Sequence, residues 1–139
     1  MIMVELERVD DAFAFEARDT NNHIIRYDAA QEIGGNNTGV RPMQTLLMSL
    51  ASCSAIDIVS ILKKQRQTID NFKISVEGER EQGKEPALWK YAKVLFQLSG
   101  AIDEDKARKA CALSIEKYCS VAATLRAAGC IIEWDVEVK

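Results

Sequence analysis

The stretch that decides the fold is RPMQTLLMSLASCSAIDIVSIL, Arg41 to Leu62. Pro42 stands where a helix accepts proline most readily, at its first position, and the residues after it are apolar on nearly every face until the charged KKQRQ run at 63–67. The reading is one long central helix from Pro42 to Gln67. A helix without a polar face must be covered on all sides, and the sheet of one small chain covers only one of them. A second copy of the chain is the simplest cover for the rest, so a homodimer is expected. The twenty residues from Met43 to Leu62 match a bilayer in length. Gln44, Thr45, Ser49, Ser52, Ser54, Asp57 and Ser60 interrupt them, which favours a core helix of a soluble protein and no membrane.

Upstream, MVELERVD and AFAFEARD alternate apolar and polar residues, HIIRYDA continues the pattern in shorter form, and Asp10-Asp11 and Asn21-Asn22 mark the turns. This predicts an antiparallel meander, followed by the glycine- and asparagine-rich loop GGNNTG. Downstream, FKISVEGERE and LWKYAKVLFQLSG read as a hairpin joined by QGKEP. Asp103 caps a helix in DEDKARKACALSIEKYCS, SVAATLRAAG is a second short helix ended by Gly129, and CIIEWDVEVK is a closing strand. Residues 1–139 therefore read as a single α+β domain, with antiparallel sheets packed on a buried central helix.

Composition narrows the function. The chain has 139 residues, 47% hydrophobic, with a formal net charge of −3 and a pI near 5.3. No basic cluster offsets that acidity, so nucleic acid is not an expected partner. The start, MIMVELERVDD, turns acidic within a few residues and lacks the basic and apolar segments of a secretory signal, so a cytoplasmic protein is expected. Its four cysteines form no CxxC pair, which supports neither a zinc site nor a disulfide scaffold; in a reducing compartment they rest as thiols. GGNNTG lacks the spacing of a dinucleotide or phosphate loop, and no cofactor or metal is expected.

The central helix carries Cys53 in SLASCSAID, and Cys119 follows in LSIEKYCSV, with SVEGER between the two. These motifs, in this order, resemble the OsmC-like family, which includes the organic hydroperoxide resistance proteins, and the CSAID and EKYCSV forms lie closest to a less characterised branch. The resemblance implies an intertwined homodimer and a two-cysteine thiol peroxidase. Cys53 would attack an organic hydroperoxide, Cys119 would resolve the sulfenic acid as a disulfide, and an external dithiol would restore both. It also implies an arginine from the early strands beside the thiol, for which Arg18 in FEARD is the candidate, oriented by a glutamate ten residues before the first cysteine. Here that position is Met43, with Gln44 beside it, and neither is a carboxylate.

A peroxidatic cysteine has to react as its thiolate, which burial disfavours and a nearby cation favours. Asp57, at i+4 from Cys53, shares its helix face and opposes the thiolate unless Arg18, Arg41 or a charge from a second subunit neutralises it. Cys111 and Cys130 read as packing, and His23, the one histidine, as an exposed turn residue. The missing carboxylate keeps two other functions open beside the peroxidase. One is a dimeric protein that binds an apolar small molecule, with Met43 and Met48, together with Met1 and Met3, able to line its pocket; the other is a thiol sensor oxidised without efficient turnover.

Overall fold

The computed structural model describes residues 1–139. They divide into two compact units, residues 1–46 and 47–139.

The first unit holds a three-stranded antiparallel sheet in the order β1-β2-β3, with β1 at Glu5–Arg8, β2 at Phe15–Arg18 and β3 at Ile24–Tyr27. Each turn is fastened by an aspartate: Asp10 accepts the backbone N–H groups of Ala12 and Ala14, and Asp19 those of Asn21 and His23. Such short side chains bond to nearby backbone and so favour turns over regular structure. The loop after β3 is organised in the same way. Asp28, only 3% exposed, accepts backbone N–H groups from Ala29, Asn36 and Thr38, and the Thr38 hydroxyl at 2.7 Å. These donors hold its carboxyl down at about 2, the backbone and hydroxyl of Thr38 contributing most.

Helix α1, Pro42–Lys64, begins in the first unit and continues into the second. By length and composition it is apolar enough to cross a membrane. Its residues Leu50, Ser54, Ile58 and Leu62, spaced one turn apart, are fully buried, whereas Met48, Ile56 and Val59 are exposed. The helix stops three residues before the expected Gln67. Arg66 turns into the left-handed region (φ 59°), and Gln67 donates back to the carbonyl of Leu62.

The second unit is a three-stranded sheet in the order β4-β5-β6, with β4 at Thr68–Arg80, β5 at Trp89–Ala101 and β6 at Ile131–Val138. β4 and β5 form the expected antiparallel hairpin. β6 departs from the expected antiparallel arrangement, since it runs parallel to β5. A parallel return needs a long crossover, and helix α2 (Glu104–Leu113), a π-helical turn (Ser114–Tyr118) and helix α3 (Ser120–Ala127) supply it. Asp103 caps α2 by accepting the N–H of Lys106. A bulge on β4 near Asp70 is matched on β5 by Gly100 (φ 134°), where a Cβ would meet the carbonyl oxygen of Thr68 at 2.2 Å.

The core of this unit forms where Ala92, Val94, Phe96 and Leu98, alternate residues of central β5, meet Leu50, Ile58 and Leu62 of α1 and Ala107, Ala110 and Ala122 of α2 and α3. A fully buried side chain such as Phe96 or Ile58 contributes about 1.5–3 kcal/mol. The exposed Arg108–Asp135 ion pair contributes about 0–1 kcal/mol, so packing holds this unit together.

Candidate functional site

The thiols are brought together where α1 meets the start of α3. Cys53 lies on α1, half-buried and packed against the core, close enough to Cys119 for its thiol to raise that of Cys119. Cys119 is 3% exposed and occupies the N-cap of α3, where its sulfur accepts the backbone N–H of Ala122 at 3.4 Å. The extended backbone of Cys119 (φ −72°, ψ 106°) turns the chain out of the π turn and into α3. Ser54, the residue after Cys53, is fully buried, with its hydroxyl 2.8 Å from the carbonyl oxygen of Leu50 and 3.6 Å from Sγ of Cys119.

Burial pushes the Cys119 thiol up, and the neighbouring Cys53 adds to the rise; the Ala122 N–H and the Ser54 hydroxyl pull the other way. Cys111 and Cys130 are buried too, and desolvation raises both, Cys111 to about 12. Neither has a hydrogen-bond donor among the causes of its shift. Cys119 therefore differs from the other buried thiols in kind: two donors from separate elements converge on its sulfur.

Asp57 is engaged from across the core. The buried Ser114 hydroxyl, carried on the π turn, lies 3.0 Å from Oδ2 of Asp57 and 3.3 Å from the backbone oxygen of Ser54. A π turn inside a helix is often a functional feature. Here it sets Ser114 against α1, and the Cys119 N–H bonds back to the Ser114 carbonyl at 2.7 Å.

Arg18 belongs to the first unit, at the end of β2. Its guanidinium donates to Asn22 at 2.9 Å and pairs with Glu16 at 3.3 Å, and Glu16 also reaches Arg26 at 3.5 Å. Arg41, from the same unit, donates to the carbonyl of Gly39 and to Asn37. His23, exposed, pairs with Asp19. A groove of about 790 Å³ runs over this unit, lined by Leu6, Phe13, Phe15, Ile25 and Ile33 together with Arg18 and Arg41.

Three of these residues, Glu16, Ser54 and Ser114, have no functional role in the sequence reading. Glu16 sits two residues before Arg18, which on a strand puts both side chains on one face, and that alternation is the signal for it. Ser54 and Ser114 flank the two cysteine motifs, one directly after Cys53 and one five residues before Cys119. Two small polar residues kept in otherwise buried runs are the only signal for them.

Comparison with known proteins bears on both units. Residues 34–135 match the OsmC-like protein family, a span that contains Cys53 and Cys119. Protein YhfA of Escherichia coli K12 is 41% identical over 88 residues, 63% of this chain and 65% of YhfA, so the match spans a little under two thirds of that relative. Among solved structures, a hypothetical protein from Aquifex aeolicus VF5 superposes with a TM-score of 0.81 at 32% identity, over 100% of this chain and 98% of the other. An organic hydroperoxide resistance protein, OsmC, from Legionella pneumophila superposes with a TM-score of 0.68 over 100% of this chain and 96% of its own; at 13% identity that likeness is one of fold alone.

Proposed function

This chain belongs to the OsmC-like family, and from that premise we propose that it is a cysteine-based peroxidase reducing organic hydroperoxides in the cytoplasm, as a homodimer. In the first step the Cys53 thiolate attacks the distal oxygen of the hydroperoxide. The O–O bond breaks, the alkoxide takes a proton and leaves as an alcohol, and Cys53 becomes a sulfenic acid. The Cys119 sulfur then attacks Cys53, a disulfide forms and water departs. An external dithiol returns two electrons and two protons and becomes a disulfide itself.

The observation that carries this reading is the meeting of Cys53 and Cys119, a half-buried thiol beside a buried one that two donors address. Structures of similar fold are named as organic hydroperoxide resistance proteins, which supports the substrate class. Arg18 is assigned to orient the peroxide and favour the thiolate, with Glu16 as its carboxylate partner in place of the expected glutamate at position 43. The exposed apolar residues of α1, Met48, Ile56 and Val59, support the dimer.

The test is consumption of cumene hydroperoxide in the presence of a dithiol by the parent and Cys53→Ser, with peptide mapping after one equivalent of peroxide. Turnover that requires Cys53, and a Cys53–Cys119 linkage, are expected. Equal consumption by Cys53→Ser rejects the peroxidase.

A second reading is favoured by the apolar groove of the first unit and by Met43. In it the chain binds an apolar small molecule and has little peroxidase activity. An apolar fluorescent probe saturating the protein while Cys53→Ser consumes peroxide as the parent does would select it. A thiol sensor would instead form the disulfide once and be reduced too slowly to turn over.

A further inference from the structure

We propose that Ser54 is a positioning residue for the reductive half of the cycle: an external dithiol attacks Cys53 of the disulfide, and the Ser54 hydroxyl receives Cys119 as the departing thiolate. The inference rests on the peroxidase reading for its place in a cycle, but its chemistry concerns the disulfide however that bond is made.

Two observations carry it. The first is access. Cys119 is 3% exposed whereas Cys53 is only half-buried, so a thiol arriving from solvent meets Cys53. The second is the arrangement of donors. Ser54 has one hydroxyl proton and two acceptors in reach, the carbonyl oxygen of Leu50 at 2.8 Å and Sγ of Cys119 at 3.6 Å. While Cys119 is a neutral thiol, the nearer Leu50 carbonyl competes with its sulfur for the Ser54 proton. Once the sulfur is an anion, rotation about one bond turns the same proton onto it. The Ala122 N–H, 3.4 Å away on the other side, is fixed by the helix. Leu50 alone satisfies the Ser54 hydroxyl as a buried group, in the ordinary bond of a helical serine to the carbonyl four residues back. The approach to Cys119 is thus additional to what the fold requires.

The electrons balance as follows. One thiolate of the dithiol bonds to Sγ of Cys53, the Cys53–Cys119 bond breaks, and its electron pair leaves on Cys119. The second thiolate of the same reductant then displaces Cys53 from the mixed disulfide and closes its own ring. The two protons lost by the dithiol end on Cys53 and Cys119. Thiol–disulfide exchange is faster the better the leaving thiolate is stabilised. Burial works against Cys119 in that role, and the Ser54 hydroxyl and the Ala122 N–H offset part of it.

In the test the disulfide is made with diamide, not peroxide, in the full chain. It is treated with 2-mercaptoethanol, quenched in acid and mapped by mass spectrometry, and its reduction by excess dithiothreitol is timed for the parent and Ser54→Ala. The monothiol adduct is expected on Cys53. Ser54→Ala is expected to slow reduction about tenfold, the worth of one hydrogen bond to a charged group, and to slow the oxidation of Cys53 by cumene hydroperoxide far less. An adduct on Cys119, an equal slowing of both half-reactions, no slowing at all, or no disulfide with diamide would each overturn the proposal. Failure of the parent to be oxidised by peroxide rejects the peroxidase reading instead, and leaves the diamide experiment readable.

Discussion

The hydroxyl of Ser114 lies 3.0 Å from Oδ2 of Asp57 and 3.3 Å from the backbone oxygen of Ser54, which ties the π turn to the helix face that carries Cys53. Asp57 does not face the core without a donor. Ser114→Ala removes the hydroxyl from both acceptors at a fully buried position. A partly buried carboxylate left unsatisfied costs about 1–3 kcal/mol, so urea unfolding should show a loss of that order with an unchanged slope. A variant as stable as the parent would mean that Asp57 finds water instead.

The exposed side of α1 leads to a second expectation. Ile56 is 72% exposed, with Met48 and Val59 also open to solvent. If a second copy covers them, light scattering should give about twice 15.5 kDa. Ile56→Lys would put a charge in that contact and should lower the mass toward a single chain without loss of helical signal. A parent that scatters as one chain removes the dimer.

Most of the fold is legible because its signals are periodic. Alternation marks β1 to β5, Pro42 marks the start of α1, and Asp103 caps α2 as expected. The end of α1 is not legible, since the left-handed residue that stops it is Arg66 and not the glycine or asparagine that would announce it. The direction of β6 is hidden for another reason: alternation is the same in parallel and antiparallel strands, and only the length of the crossover between Ala101 and Ile131 speaks for the parallel case. In the site, Cys53 and Cys119 are legible through their motifs. Ser54 and Ser114 are not, because a single hydroxyl in a buried run has no period and its partner lies far away in sequence.

The four thiols should differ sharply in reactivity. Burial pushes Cys111 up to about 12 and raises Cys119 and Cys130, so all three stay protonated at neutral pH and are shielded as well. Iodoacetamide added to the native reduced protein at pH 7 should therefore label Cys53 first, and Cys111 only on unfolding. Mass spectrometry of timed samples reads this directly. Early labelling of Cys111 would mean that α2 opens locally.

Asp28 sets an acid limit on the first unit. Its carboxyl is held down to about 2 from an ordinary 3.8 by the Thr38 backbone and hydroxyl, Ala29 and Asn36. A depressed carboxyl stabilises the fold fully above its unfolded value, and that contribution fades as pH falls through about 4 toward 2. Asp28→Asn should flatten the loss of stability over that window, and should lower stability at neutral pH because an amide accepts fewer hydrogen bonds than a carboxylate. Thermal melts of both proteins between pH 2 and 7 test it. Parallel curves would assign the acid sensitivity elsewhere.

The last expectation concerns what replaces the absent glutamate. Glu16 reaches Arg18 at 3.3 Å and Arg26 at 3.5 Å, so the candidate arginine has a carboxylate partner on its own strand. If Arg18 serves Cys53, Glu16→Gln should lower hydroperoxide turnover by a few-fold, because a guanidinium that loses a charged partner is less well positioned. Arg18→Met should lower it further, and Met43→Glu should raise it by supplying a second anchor. The converse is also readable. If Arg18→Met turns over as the parent does, no guanidinium awaits the new acid at the half-buried position 43. Met43→Glu would then be an unpaired carboxylate that lowers stability and adds no rate. Stopped-flow consumption of cumene hydroperoxide by the four proteins, with a urea midpoint for each, separates the two cases: Glu16→Gln and Arg18→Met lower the rate, and Met43→Glu raises it, only if Glu16 and Arg18 act on the thiol chemistry.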